Sequence, residues 1–345
     1  MQIGSVWPRK SDVREALEPL WDDGTIQVLQ LTVEHAFRGD LGPGFTTPLR
    51  QASERGDLVG HAVHSSPLTS PRDLVSVDWL ARAKKILARW PVRFVTDHFG
   101  CCRSEDWHAA PLPLPASNAL VAAGREHLQW MSDELEIPVG LENLALAMSV
   151  DDVLWQPDLL DAMIRPVDGL LLLDLHNLWC SAVNYRLDPV ALLERYPLDL
   201  VRQIHIAGGS WSDFPEGRFR RDTHDGPVPA EVWALLPEAI GRCENLEVVV
   251  LERLRGTLED PEEVRREIRQ LAALAPAPPT AAFPLPKAAP WTGTDPAGVR
   301  KALFRGLRNG NLAELERVAP NWASDSRALR VAAEITEKWG RPVPT

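Results

Sequence analysis

The chain has 345 residues, of which 45% are hydrophobic and 25% charged, and its formal net charge is −11. This is a globular composition, with room for one barrel of about 250 residues plus an appendage, or for two ordinary domains. The charge argues against a nucleic-acid backbone or an anionic membrane as the main partner, because both select basic patches; Arg218, Arg220 and Arg221 are the one short basic candidate.

No run approaches the roughly 18 uninterrupted apolar residues of a membrane span. Met1-Gln2-Ile3-Gly4 lacks the basic-then-apolar order of a signal peptide. Cys101, Cys102, Cys180 and Cys243 are too few and scattered for a disulfide framework, and no C-x-x-C pair offers a zinc site. A reducing, cytoplasmic setting is the expectation.

In chain order, short Val-, Ile- and Leu-rich runs predict strands at 2–6, 26–32, 58–64, 92–97, 138–142, 169–174, 201–206 and 247–252. Runs of this length and composition suit strands buried on both faces. Helical spacing separates them. Residues 76–90 begin at Ser76 as a cap and carry Val77, Leu80, Ala83, Ile86 and Leu87 on one face; 117–135 begins at Ser117. Asp188-Pro189, Asp260-Pro261 and Asp295-Pro296 each set a capping carboxylate before a proline at the first helical position. Strands alternating with helices imply a parallel sheet, and eight of them imply closure into an α/β (β/α)8 TIM barrel over 1–274. An open doubly wound sheet is the structural alternative. Residues 275–292, rich in Pro and Ala, read as a semi-rigid linker or a strap over the barrel. Residues 293–345 read as a small helical C-terminal extension that packs on the barrel or on a partner.

The polar residues gather where a barrel keeps its chemistry, at the C-terminal ends of the strands. His61 or His64 ends the third strand, and Asp97-His98 follows the fourth. Glu142-Asn143 closes the fifth; Asp174, His176 and Asn177 close the sixth; His205 lies in the seventh, with Asp222 and His224 in the loop beyond; Glu252 ends the eighth. Taken singly, each has an ordinary use: a histidine in a hydrogen-bonded core, Asp174 as a helix cap, Glu142 beside an arginine, Asp222 in a solvated turn. Taken together, they converge on one small volume, where crowded carboxylates are costly to desolvate unless cations sit among them. Imidazole plus carboxylate, without a thiolate set, suits iron, manganese or zinc. His64 lies three residues after His61, so strand alternation lets only one of them point inward. The vicinal Cys101 and Cys102 lie close in sequence to His98 but read as incidental, and no G-x-S-x-G, P-loop or G-x-G-x-x-G motif is present.

The segments HAVHSS (61–66), VTDHFG (95–100), PLPLP (111–115), LENLA (141–145), LLLDLHNLWCSAVNY (171–185), IHIAGG (204–209), DTHDGPVPAEVW (222–233) and VVLERL (249–254) occur in that order. In this combination the chain resembles the multinuclear non-heme iron-dependent oxidative enzymes, whose best-known member works in methanobactin biosynthesis, over roughly residues 1–270. The resemblance implies a xylose-isomerase-like barrel that holds two or three irons in mixed Fe(II)/Fe(III) states and uses O2 as co-substrate. It carries the metal-ligand positions onto His61, His98, Glu142, Asp174, His205, Asp222, His224 and Glu252, with Glu142 as the bridge. It favours His61 over His64. Glu142, Asp174, His176 and Asn177 are the candidate catalytic positions, and Asn143, Asn177, Asn184 and Arg253 are candidates for positioning substrate or water. The implied substrate is a ribosomally made precursor peptide, modified at a cysteine or another side chain, often with a partner protein that delivers it. Three positions depart from the commonest pattern: Asp97 for a frequent glutamate, His176 for a frequent asparagine, and Gly209 where many members carry a histidine. The alternatives are a non-redox metal-dependent isomerase, epimerase or phosphodiesterase on the same barrel type, and a non-catalytic scaffold whose extension docks a peptide.

Overall fold

The computed structural model describes residues 1–9, 11–39, 41–69, 73–104, 107–253, 260–277, 280–291 and 293–342. Residues 278, 279 and 292 of the Pro- and Ala-rich stretch, Leu254 of the last motif, and residues 343–345 of the extension lie outside them. Eight parallel strands close on themselves: β1 (Gln2–Val6), β2 (Val28–Thr32), β3 (Leu58–Ala62), β4 (Val95–His98), β5 (Val139–Glu142), β6 (Leu170–Asp174), β7 (Val201–Ala207) and β8 (Val248–Glu252). Each strand pairs with its successor, and β8 returns to β1 with Val248 opposite Gln2. The third strand is shorter than the apolar run suggests. The Glu34 carboxylate accepts the Val63 and His64 N–H groups at 3.0 and 2.9 Å, so the backbone leaves the ladder there.

Strand alternation organises the interior. Val6, Val28, Val59, Phe94, Leu170, Val248 and Val250 form a separate apolar cluster inside the barrel. Two residues further along the same strands stand Gln30, His61, Thr96, Leu172 and Glu252, and another two bring His98 and Asp174. The barrel thus changes from apolar to polar along its axis. Gly140 lets β5 and β6 approach, since a Cβ there would come within 2.1 Å of the Leu170 carbonyl oxygen.

Helix starts follow the capping residues in the sequence, with one revision. The helix Leu74–Arg89 is capped by Asp73, which accepts the Ser76 N–H at 2.7 Å. The same carboxylate takes the buried Arg103 guanidinium at 3.0 Å, so Asp73 does two tasks that Ser76 could not. Ser117, Asp188, Asp260 and Asp295 cap as their positions suggest. Two antiparallel hairpins stand on the C-terminal face of the barrel and carry no strong sequence signal: Cys101–Arg103 with Trp107–Leu112 after β4, and Ser210–Phe214 with Gly217–Arg221 after β7. The second separates the three arginines. Arg218 pairs with Asp213, Arg221 with Glu334, and Arg220 is buried, so they form no basic groove.

The Pro- and Ala-rich segment lies across the barrel helices as a strap. Trp155 donates its indole N–H to the Ala289 carbonyl at 2.7 Å, and the Ala289 and Phe283 N–H groups reach Asp151 and Asp188. Beyond it, helices Pro296–Asn309, Ala313–Val318 and Ser326–Trp339 lead to a short strand, Arg341–Pro342, that adds to the first hairpin opposite Trp107 and His108. No described helix is long and apolar enough to cross a membrane.

Asp152, buried at the start of helix Val150–Ile164, connects this packing to pH. Burial pushes its carboxyl up to about 7, despite hydrogen bonds from Ser149 and Trp322. The folded state therefore holds a proton that the unfolded chain releases near pH 4, and stability falls as pH rises from about 4 to about 7. Asp152→Asn should flatten that dependence and raise Tm at pH 8 by ~2–4 °C, measured by calorimetry at pH 5 and pH 8.

Candidate metal centre

The strand ends bring their polar side chains to one place. His61 Nε2 lies 3.2 Å from Glu142 Oε2, and His98 Nε2 lies 3.6 Å from the same oxygen. His205 Nδ1 stands 3.0 Å from Glu252 Oε2, 3.7 Å from Glu142 Oε1 and 3.8 Å from Asp174 Oδ2. Two groups able to hold a metal ion result, His61–His98–Glu142 and Glu142–Asp174–His205–Glu252, each with its ligand atoms within 4.8 Å of one another. Glu142 belongs to both. Asp222 and His224 adjoin them: His224 Nε2 is 2.7 Å from Asp222 Oδ1, and its Nδ1 is 3.6 Å from Glu252 Oε1.

Two imidazoles are oriented from behind. His205 Nε2 lies 2.8 Å from the Gln30 side-chain oxygen and 2.7 Å from the Gln203 side-chain nitrogen, so two amides hold this edge of the ring. The other ring nitrogen, Nδ1, faces three carboxylates. His61 Nδ1 lies 2.9 Å from the Thr96 hydroxyl; with its proton donated there, Nε2 is bare and faces Glu142. A lone pair aimed at a carboxylate is repulsive in a dry interior unless a cation lies between them. The buried atoms without a hydrogen-bond partner follow this pattern: His61 Nε2, Glu142 Oε2, Asp174 Oδ2, His205 Nδ1 and His224 Nε2 are all among them. The donor set fits a hard or borderline divalent cation, as imidazole and carboxylate ligation requires.

The charges tell the same story. Burial, reinforced by Asp174, Glu252 and Asp222, pushes the Glu142 carboxyl well above the carboxylate range; burial and the charges of Asp222 and Glu252 do the same to Asp174. Burial pushes His61 well down, with His98 and His205 adding to it. Burial also opposes a charge on His224, yet Asp222 and Glu252 outweigh it and hold that imidazole up at about 10. Without a cation, the cluster relieves its repulsion by holding protons, as the raised Glu142, Asp174 and His224 show.

Asn177 and Asn143 brace the carboxylates. The Asn177 N–H donates to Asp174 Oδ1 at 2.6 Å and its side chain donates to Glu142 Oε1 at 3.3 Å. Asn143 clamps the Asp174 backbone, donating to its oxygen at 3.0 Å and accepting its N–H at 2.7 Å. Asp97 accepts the Ser65 N–H and hydroxyl, tying the loop after β3 to β4. His176 touches the cluster only through Asp222, at 3.0 Å. His64 points away and packs 6.4 Å from the ring of His108. Arg253 binds the Gly226 carbonyl and Glu263, and Asn184 binds the Arg220 backbone, so both hold loops. Cys102 donates to the Val63 carbonyl, and burial pushes its thiol well up, as it does for Cys180. The thiols supply no ligand to either group. Gln30 and Thr96, which orient two imidazoles, were not singled out in the sequence; their one signal is a polar residue at an inward position of an apolar strand.

Glu142→Gln should weaken metal binding by more than about 100-fold, beyond the loss expected from an outer-shell partner, with a deficit in both groups by elemental analysis. The same change should raise Tm of the metal-free protein by ~2–4 °C per kcal/mol of relieved repulsion. Chelation of the wild-type protein should act in the opposite direction, because metal at 100 times its Kd contributes about 2.7 kcal/mol to the folded state.

A family model for RiPP precursor modification enzymes, MbnB/TglH/ChrH, matches residues 14–275, a span that includes all of these positions. A UPF0276 protein of Rhizorhabdus wittichii is 34% identical over 196 residues, 56% of this chain and 68% of that protein. A UPF0276 protein of Pseudomonas aeruginosa is 27% identical over 245 residues, 70% of this chain and 82% of that one. Among solved structures, endonuclease IV from Thermus thermophilus aligns with 79% of this chain and 99% of its own, at 18% identity and a TM-score of 0.48. A D-psicose 3-epimerase from Clostridium cellulolyticum aligns with 79% and 96%, at 12% identity and a TM-score of 0.47. At such identities the likeness extends to the barrel alone. With the family's model spanning most of its length, the chain belongs to the RiPP precursor modification enzymes of the MbnB/TglH/ChrH family.

Proposed function

We propose that this protein is a multinuclear iron- and O2-dependent oxidase or oxygenase that modifies a ribosomally synthesised precursor peptide at a cysteine or another side chain. The observation that carries the reading is the convergence of buried ligand atoms that lack hydrogen-bond partners on two groups sharing Glu142. His61, His98 and Glu142 would hold one ion, and Glu142, Asp174, His205 and Glu252 a second; Asp222 and His224 would hold a third. Bound iron would supply one-electron chemistry with O2, which none of these side chains provides alone.

The chain's own residues do the rest. Glu142 ties the two groups together through its two oxygens. Asn177 fixes both Glu142 and Asp174, so the carboxylates cannot rotate away. Gln30 and Thr96 aim the imidazoles. Side-chain exposure is 0–2% for His61, Glu142, Asp174 and His205, but 16% for His98, 17% for Asp222 and 13% for His224. The peptide would therefore enter on the side of His98, Asp222 and His224, while the barrel interior keeps water from the opposite side. A partner protein that presents the peptide would approach the same face, beside the two hairpins.

Anaerobic purification, elemental analysis and an O2 electrode test the reading. Iron should copurify, and O2 should be consumed when a candidate precursor peptide is added. His98→Ala should lower both the iron content and the rate of O2 uptake, the latter by more than about 100-fold. A preparation that takes up only zinc or manganese and consumes no O2 would replace this reading with the non-redox one.

A further inference from the structure

His176 and Arg220 lie behind the cluster and belong to neither ligand group, yet they are built into it directionally. The His176 ring is fully buried, with Nδ1 3.0 Å from Asp222 Oδ1 and Nε2 3.3 Å from Arg220 Nη2. A guanidinium carries only donors, so Nε2 must accept. The single proton of the neutral ring then sits on Nδ1 and is donated to Asp222.

Arg220 is an unusual neighbour. It is 7% exposed, and among the described residues no carboxylate lies within ion-pair distance of it. Its guanidinium lies over the rings of Trp179 and Trp211, at 5.0 and 5.6 Å from their centroids. Its backbone is clamped by Asn184, which accepts the N–H at 2.7 Å and donates to the oxygen at 2.9 Å. Its Nε has no partner. A buried cation held this rigidly, with no carboxylate at ion-pair distance among the described residues, is costly as a structural device. Its placement is explained if its task is to dictate which nitrogen of His176 carries the proton.

Gly209 completes the arrangement. A Cβ there would lie 2.9 Å from His176 Cε1 and 2.2 Å from the Arg221 carbonyl oxygen. The backbone of this loop therefore closes directly on the imidazole and limits its rotation.

From this geometry we propose that His176 and Arg220 are positioning residues: Arg220 fixes the tautomer of His176, and His176 fixes the Asp222 carboxylate that shares a metal ion with His224. The proposal rests on the reading of Asp222 as a ligand. His176 thus acts through another group and does not itself touch substrate. An asparagine would place its side-chain N–H where the imidazole Nδ1–H stands, since both nitrogens are bonded to Cγ, and it needs no second group to set its proton.

The test uses the full chain, stripped of metal and titrated anaerobically with Co(II), whose visible spectrum reports coordination. Asp222→Ala identifies the equivalent that depends on this ligand. His176→Leu should weaken that equivalent by ~10–100-fold and leave the others within about threefold. His176→Asn should restore most of the affinity. Arg220→Leu should cost about tenfold in the wild-type background and nothing beyond error in the His176→Asn background, because the amide has no tautomer to set. Equal losses from Arg220→Leu in both backgrounds, or full Co(II) affinity in His176→Leu, overturn the proposal. If His176→Leu does not fold, the comparison of Arg220→Leu with and without His176→Asn still decides it. An Asp222→Ala protein that binds every equivalent as the wild type does would instead remove Asp222 from the ligand set, a different failure with its own signature.

Discussion

Four carboxylates, Glu142, Asp174, Asp222 and Glu252, meet in a volume from which water is largely excluded, and their mutual repulsion is the constraint around which the rest of the molecule is arranged. In a dry interior such a group has two ways to exist: take up protons, or take up cations. The first is visible in the raised carboxyls of Glu142 and Asp174 and the raised imidazole of His224. The second is prepared by geometry. Imidazole nitrogens and carboxylate oxygens already face each other at 3.0–3.8 Å.

The barrel makes this possible because its interior changes character along the axis. The apolar cluster from Val6 to Val250 closes it at depth, while the larger apolar core that includes the helices supplies most of the burial. The next layer, with Gln30, Thr96 and Gln203, is polar and contacts the imidazoles of His205 and His61 from behind. The last layer carries Glu142 Oε2 and Asp174 Oδ2, carboxylate oxygens buried without a hydrogen-bond partner. A cluster assembled this way is held in place from below, since Glu142, Asp174 and His205 each stand on a strand and are each contacted by a second polar side chain.

On the open side the wall is built by parts outside the barrel. The hairpin after β7 brings Trp211 and Arg220 to Trp179, and the terminal helix Ser326–Trp339 is tied to that hairpin through Glu334 with Arg221 and Ser212. The hairpin after β4 is extended by the strand Arg341–Pro342. The C-terminal segment therefore supports both structures that flank the more exposed members of the cluster, His98, Asp222 and His224. Its packing reaches the site through the hairpins rather than by contact with the ligand atoms.

Much of this was legible in the chain itself. Eight apolar runs of strand length separated by helical spacing specify a closed parallel barrel, because period and length are local properties that tertiary context rarely reverses in buried strands. The placement of imidazoles and carboxylates at the ends of those runs was equally local, as were the caps at Ser117, Asp188, Asp260 and Asp295. What the tertiary structure decided are the relations between distant segments. Glu34 ends β3 early and turns His64 away; Asp73 displaces Ser76 as a cap because Arg103 arrives from a hairpin; Gln30 and Thr96 meet the rings of His205 and His61 from other strands. The two hairpins, with their mixed composition, gave no periodic signal, so the stack of Trp179, Arg220 and Trp211 was hidden. Hydrophobic periodicity is written in neighbouring residues, whereas a hydrogen bond across 175 positions, such as that between His205 and Gln30, exists only once the barrel has closed.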